Sequence, residues 1–156
     1  MPRWYDAVLA IALLGVDSAY AEKQLDGLRL DTISIQLFYQ TTGSLSRNIA
    51  PPAKFHAWTT IIAEGDAREP ARDMLVTARL TSKKDEANSS TPMTLSVTGK
   101  DGKILAQRTF NHIFFERGRS IQALFVPDST CAGHIVVEAI FGNAKKTVAL
   151  DLNCGE

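Results

Sequence analysis

His134 and Asp151 come closest to catalytic machinery in this chain, because an imidazole oriented by a carboxylate is half of a nucleophilic triad. Whether they meet depends on how the chain turns between them. Two β-rich runs, Gly133 to Phe141 and Ala144 to Leu152, flank the dipeptide Gly142-Asn143. Gly-Asn in that setting predicts a two-residue hairpin, with glycine supplying the positive φ of a type II′ turn. In that register Phe141 faces Ala144, and His134 faces Asp151. A small hydrolase or metal-dependent enzyme centred on His134 and Asp151 is therefore one reading. Against it, no Gly-x-Ser-x-Gly elbow accompanies the pair. Cross-strand charge pairs are also common surface features, worth about 0.2–1 kcal/mol.

The same register places Cys131 opposite Cys154. A directly facing, hydrogen-bonded pair sits about 5.5 Å apart at Cα, within reach of a disulfide. These are the only cysteines. They lack the Cys-x-x-Cys spacing of redox pairs, so a structural staple is expected. The hairpin's faces agree with this register. One face carries Cys131, Ile135, Val137, Ala139 and Phe141 opposite Val148, Leu150, Leu152 and Cys154. The other carries His134, Glu138, Lys145, Thr147 and Asp151. One apolar and one polar face is the signature of a half-buried antiparallel pair.

Two loops are the candidate binding elements, since binding residues concentrate on loops held by a rigid scaffold. Residues 40–54 are rich in Thr and Ser and contain Pro51-Pro52. Residues 64–73 are densely charged, with Glu64, Asp66, Arg68 and Arg72 as candidate binding residues. Calcium needs several oxygen ligands with little competing charge. Here Arg68 and Arg72 offset the carboxylates, and no Asp-x-Asp-x-Asp-Gly spacing exists. His56 and His112 fall in separate runs, without His-x-His or His-Glu-x-x-His spacing, so zinc is not indicated. No metal site and no cofactor is implied. Trp58 reads as a core residue rather than a sugar-stacking platform. Phe110, His112, Phe114 and Phe115, near Arg117 and Arg119, read as core plus an edge rather than as a partner patch.

The elements that must position these residues are strands. Asp31 to Tyr39 alternates, with Ile33, Ile35, Leu37 and Tyr39 on one side. Phe55 to Ala63, Met74 to Thr81 and Met93 to Thr98 follow. Gly99-Lys100-Asp101-Gly102 is a turn leading into Lys103 to Phe110. Ile113 to Phe115 and Ser120 to Val126 precede the hairpin, and Lys83 to Pro92 reads as a polar loop. No segment holds a helical period over ten or more residues. Eight or nine short strands predict an all-β, antiparallel β-sandwich of immunoglobulin-like or C2-like topology.

Length and charge set the frame. The chain has 156 residues, 45% hydrophobic, with 17 basic and 17 acidic side chains. That composition excludes disorder as the main state. The charge balance argues against nucleic acid as a partner, because phosphate neutralisation needs a basic excess. At the N-terminus, Arg3 precedes an apolar run from Ala7 to Val16, and Ala19-Tyr20-Ala21 follows. That is the pattern of a signal peptide over residues 1–21, cleaved before Glu22, leaving one domain over 22–156. The run is about half the roughly 20 apolar residues a spanning helix needs. No membrane span is expected after cleavage. Removing Arg3, Asp6 and Asp17 leaves a net charge of +1. The sequence thus predicts a periplasmic or secreted β-sandwich. Its expected role is a non-enzymatic module that binds a protein or small ligand through loops 40–54 and 64–73.

Overall fold

The computed structural model describes residues 27–155; the signal peptide expected at 1–21 lies outside them. Nine strands form in chain order: β1 (Leu28–Tyr39), β2 (Ala71–Ser82), β3 (Ala87–Ser89), β4 (Met93–Thr98), β5 (Ile104–Phe110), β6 (Ile113–Phe115), β7 (Arg119–Val126), β8 (Gly133–Phe141) and β9 (Ala144–Leu152). A 3₁₀ turn at Thr60–Ile62 is the sole helical element among the described residues. A three-stranded sheet, β1-β2-β7, faces a four-stranded sheet, β5-β4-β8-β9, and β3 pairs with β6 as a separate ribbon. Every ladder between named strands is antiparallel.

Alternation explains the layering. Successive side chains of a strand point to opposite faces, so an every-second apolar pattern yields one buried face per sheet. From the first sheet, Ile35, Leu37, Val76 and Leu80 enter the core; from the second, Leu95, Val97, Val137 and Phe141 do so, all fully buried in one cluster. Each such side chain stabilises by about 1.5–3 kcal/mol relative to leaving it exposed.

Where the alternation slips, a bulge absorbs it. Leu30 and Ile33 are both buried although three apart, and the β1–β2 register shifts there, leaving Asp31 without a partner. Ala71 and Met74 repeat the slip, with Arg72 as the extra residue. A bulge inserts one residue and restores the inward phase.

The β8–β9 register is the one its turn predicts: Phe141 pairs with Ala144, His134 with Asp151, and Gly142 takes φ +58. Cys131 and Cys154 form the disulfide, with Cα atoms 5.1 Å apart. They do not sit on a ladder pair as expected. The ladder ends at Gly133↔Leu152. Gly133 has φ +72 and breaks the extended backbone, and Asn153 turns away to bond Ala57 and Thr59.

Two other expectations fail. Residues 55–63 are not a strand but a tight, irregular passage around the 3₁₀ turn. Thr59 and Ala63 occupy the left-handed region at φ +45 and +62, which no strand accommodates. The polar stretch 83–92 is not all loop, because Ala87–Ser89 pairs with Ile113–Phe115.

Candidate functional site

Residues 40–54 are not a free connector. After Tyr39 the chain reverses and runs back along the outer edge of β1. Ser46 N–H donates to the Leu37 carbonyl at 2.9 Å, and Ile49 N–H to the Ile35 carbonyl at 2.8 Å. Side chains complete the edge: Asn48 Oδ1 accepts from Ile35 N–H, and Ser46 Oγ accepts from Leu37 N–H, each at 2.9 Å. An exposed edge of unpaired donors and acceptors is covered in this way.

Residues 64–70 approach from the other side. Asp66 Oδ2 accepts from His56 N–H at 2.7 Å, and Asp66 N–H donates to the His56 carbonyl at 3.0 Å. Gly65 makes this close return possible: it has φ +66, and a Cβ there would collide with the His56 carbonyl oxygen. Gln40 N–H donates to the Pro70 carbonyl at 3.2 Å, and Arg68 N–H to the Tyr39 hydroxyl at 3.3 Å.

The two loops thereby enclose a cleft of about 360 Å³. Its wall combines Arg47, Asp66, Arg68 and Glu69 with the apolar surfaces of Tyr39, Leu45 and Phe55. Glu69 is its most unusual member. Its Oε1 accepts from the Thr42 hydroxyl at 3.2 Å, while its Oε2 is buried with no hydrogen-bond partner. A buried polar group left unpaired costs about 1–3 kcal/mol, more when charged. Among the described residues no carboxylate lies within ion-pair distance of Arg68 or Arg47.

Of the residues expected to bind, Asp66 and Arg68 stand in the cleft wall, and Glu64 and Arg72 do not. Arg72 is the bulge residue of β2, and its carbonyl accepts from Ser129 N–H and Thr130 N–H at 2.9 and 3.2 Å. Sequence reasoning missed Glu69 and Arg47. Glu69 lies inside the charged run already singled out, but nothing local distinguishes it from its neighbours. Its one hydrogen-bond partner is Thr42, 27 residues away.

Trp58 is not in the core. It is 41% exposed, and its ring stacks on His56 at 19° with centroids 6.3 Å apart. The segment's backbone is engaged elsewhere: Thr59 N–H donates to the Asn153 carbonyl and Asn153 N–H to the Ala57 carbonyl. Asn153 and Gly155, on either side of Cys154, thus clamp the segment that supplies one wall of the cleft. Of the aromatic group, Phe115 is buried and Phe114 is 74% exposed.

His134 Nδ1 lies 2.7 Å from Asp151 Oδ1 on the open outer face of the four-stranded sheet. Both side chains are mostly in water, 53% and 69% exposed. No hydroxyl or thiol bonds the imidazole among the described residues, and no group of three metal-ligating side chains occurs among them.

Fold and site together define a β-sandwich domain with a loop-built cleft at the end of one sheet. No protein-family model and no curated protein sequence matches the chain. Among solved structures, the chain is similar to part of a Bifidobacterium dentium β-glucuronidase complexed with coumarin-3-O-glucuronide. The identity is 13% and the TM-score 0.40, over 80% of this chain and 17% of that one. It is also similar to the C-terminal domain of wzt, at 14% identity and TM-score 0.41, over 83% of this chain and 74% of that one. The chain thus spans about a sixth of the β-glucuronidase and about three quarters of the wzt domain.

Proposed function

We propose that the chain is a non-enzymatic binding module whose ligand occupies the cleft between residues 40–54 and 64–70. The observation that carries this reading is the cleft of about 360 Å³ between two loops, with Arg47, Asp66, Arg68 and Glu69 set beside the apolar surfaces of Tyr39, Leu45 and Phe55. A concave, partly apolar surface with a few polar side chains is the usual form of a ligand site. The strands behind the cleft are rigid, and both loops are stitched to β1, so the site is pre-organised rather than assembled on binding. The domain extends over 22–156 and acts in an oxidising compartment, periplasmic or extracellular, after loss of residues 1–21. The Cys131–Cys154 disulfide is compatible with that location, and no described helix is long and apolar enough to cross a membrane.

Ligand-observed NMR with a small-molecule fragment library tests the reading. Hits are expected to compete with one another and to disappear in Arg68→Ala. Hits that persist in Arg68→Ala and Glu69→Gln alike would overturn it. The His134–Asp151 contact supports a second, weaker reading as a small hydrolase or metal-dependent enzyme. It requires that His134→Ala abolish a measurable hydrolytic activity or metal content, and an unchanged profile removes it.

A further inference from the structure

The two sheets differ in what their outer faces show to water. On the four-stranded sheet, Thr94, Ser96, Gln107, Thr109 and Thr147 stand around Ile140. On the three-stranded sheet the register brings Phe38, Leu75, Phe125, Ala123 and Ile121 together. Phe125 is 48% exposed and Ile121 59%, and Phe38 meets the Phe125 ring edge-on, with centroids 6.0 Å apart. A contiguous apolar surface of this kind marks a contact with another molecule. The free edge beside it is blunted, because the Arg108 guanidinium reaches over from β5 and donates to the Ala123 carbonyl at 3.4 Å. The face, rather than the edge, is what remains open. It shares no residue with the cleft wall.

We propose that this face binds a second copy of the chain, forming a two-fold dimer. Its charges select that occupant. At one end of the face stand Arg29, Arg79 and Arg119, with Asp31 set 3.9 Å from Arg79. At the other end stand Asp73 and Asp128, joined by the Asp128 N–H donating to Asp73 Oδ1 at 2.9 Å, with Arg72 beside them at the bulge. One end is net positive and the other net negative, and the apolar stripe lies between them.

A two-fold interface uses the same patch twice, so the patch must be its own complement. The registers define rows across the sheet: Leu75–Phe125, Thr77–Ala123, Arg79–Ile121 and Thr81–Arg119. A two-fold axis lying in the interface along the Ser34–Thr77–Ala123 row exchanges the rows on either side of it. Ile121 then lies on the partner's Phe125, and Arg119 reaches the partner's Asp128. The central row carries small side chains, which lets the two faces approach to the spacing of about 10 Å found in stacked sheets. In the reverse orientation like charges would meet, so the same groups exclude it. Three strands make a narrow face, and a micromolar dimer is expected rather than a tight one.

Sedimentation equilibrium of the full chain, produced through export with its disulfide formed, tests this from about 10 µM to about 1 mM. The weight-average mass should climb from one chain toward two. Ile121→Asp should raise the dissociation constant roughly tenfold or more, since each substitution enters the interface twice. Thr147→Asp, on the outer face of the other sheet, should leave it unchanged. Arg119→Glu and Asp128→Lys should each weaken the dimer about tenfold alone. An equimolar mixture of the two should regain it, because each contact between unlike copies again pairs opposite charges. Asp128 has φ +47, and if its variant does not fold, the comparison of Ile121→Asp with Thr147→Asp decides. A chain that stays monomeric throughout would overturn the proposal, including one whose Ile121 cross-links only to a different envelope protein or to its own residues before 27. A dimer indifferent to Ile121→Asp, or a mixture of two folded variants that stays monomeric, would overturn it as well.

Discussion

The β8–β9 hairpin and the cleft both bring unlike charges together, and they do so in opposite ways. On the hairpin, His134 meets Asp151 and Lys145 reaches Glu138, each pair lying across neighbouring strands in water. In the cleft, Glu69 Oε2 is buried without a partner, and Arg68 has no carboxylate within ion-pair distance among the described residues. A regular ladder pairs its side chains by register, so its polar groups are satisfied internally and cheaply. An irregular loop satisfies its backbone first and leaves side chains where the packing puts them. The hairpin's charged side chains are therefore paired across its strands, whereas the cleft keeps a carboxylate oxygen without a partner.

Four measurements would break or sharpen this contrast. The disulfide closes the hairpin next to the residues that hold segment 57–59, and its loss should have the largest effect. Cys131→Ser with Cys154→Ser opens a ring with sequence separation 23, which should cost about 3 kcal/mol in denaturant unfolding. Amide exchange should also accelerate at residues 57–59, because residues 153–155 then hold that segment less firmly. Exchange that quickens only within the hairpin would show that the clamp on the cleft wall is independent of the bridge.

Gly65→Ala acts on the cleft alone. It places a Cβ against the His56 carbonyl at a positive φ, with an expected loss of about 1–3 kcal/mol. Amide shifts should cluster around 55–58 and 66–69, and the hairpin resonances should not move. Unchanged melting would mean that the return at Gly65 is not as tight as described.

Glu69→Gln should move stability the other way. Neutralising a carboxylate with one oxygen buried and unpartnered is expected to raise unfolding free energy by up to about 1 kcal/mol. Stability that falls instead would mark Glu69 as structural.

His134→Ala should have the smallest effect, within about 0.5 kcal/mol by urea unfolding. Its partner and its surroundings are solvated, so little is lost. A loss above about 1.5 kcal/mol would place the pair among the structural contacts rather than the surface ones.

The hairpin was the most legible part of the molecule because its information is local. Gly142-Asn143 specifies the turn, the turn specifies the register, and a period of two assigns every side chain to a face. β4 and β6 were legible for the same reason, with boundaries at Met93–Thr98 and Ile113–Phe115. The segment 55–63 departs from the strand its side chains suggest, since Phe55, Trp58, Ile61 and Ile62 are all strand-forming types. Its conformation is instead dictated by contacts with Gly65, Asp66 and Asn153, remote or turned back in sequence. The apolarity of Trp58 points to the core, yet its ring is 41% exposed and stacks on His56. In the cleft, Asp66 and Arg68 were visible as members of a charged loop. Glu69 and Arg47 were not, since only the approach of residues 42–47 gives them a shared cavity.

By itself the sequence determined an antiparallel β-sandwich, the hairpin with its disulfide, and the pairing of His134 with Asp151. Those follow from side-chain periodicity and one turn, interactions between residues whose spacing the chain dictates. Only the tertiary structure decided that loop 40–54 is sewn to the edge of β1 and that residues 153–155 clamp 57–59. It alone brought Arg47, Asp66, Arg68 and Glu69 into one cleft wall and left Glu69 Oε2 without a partner. Each of these is a long-range contact chosen by which backbone groups remain unbonded once the sheets have formed, and no local pattern encodes that remainder.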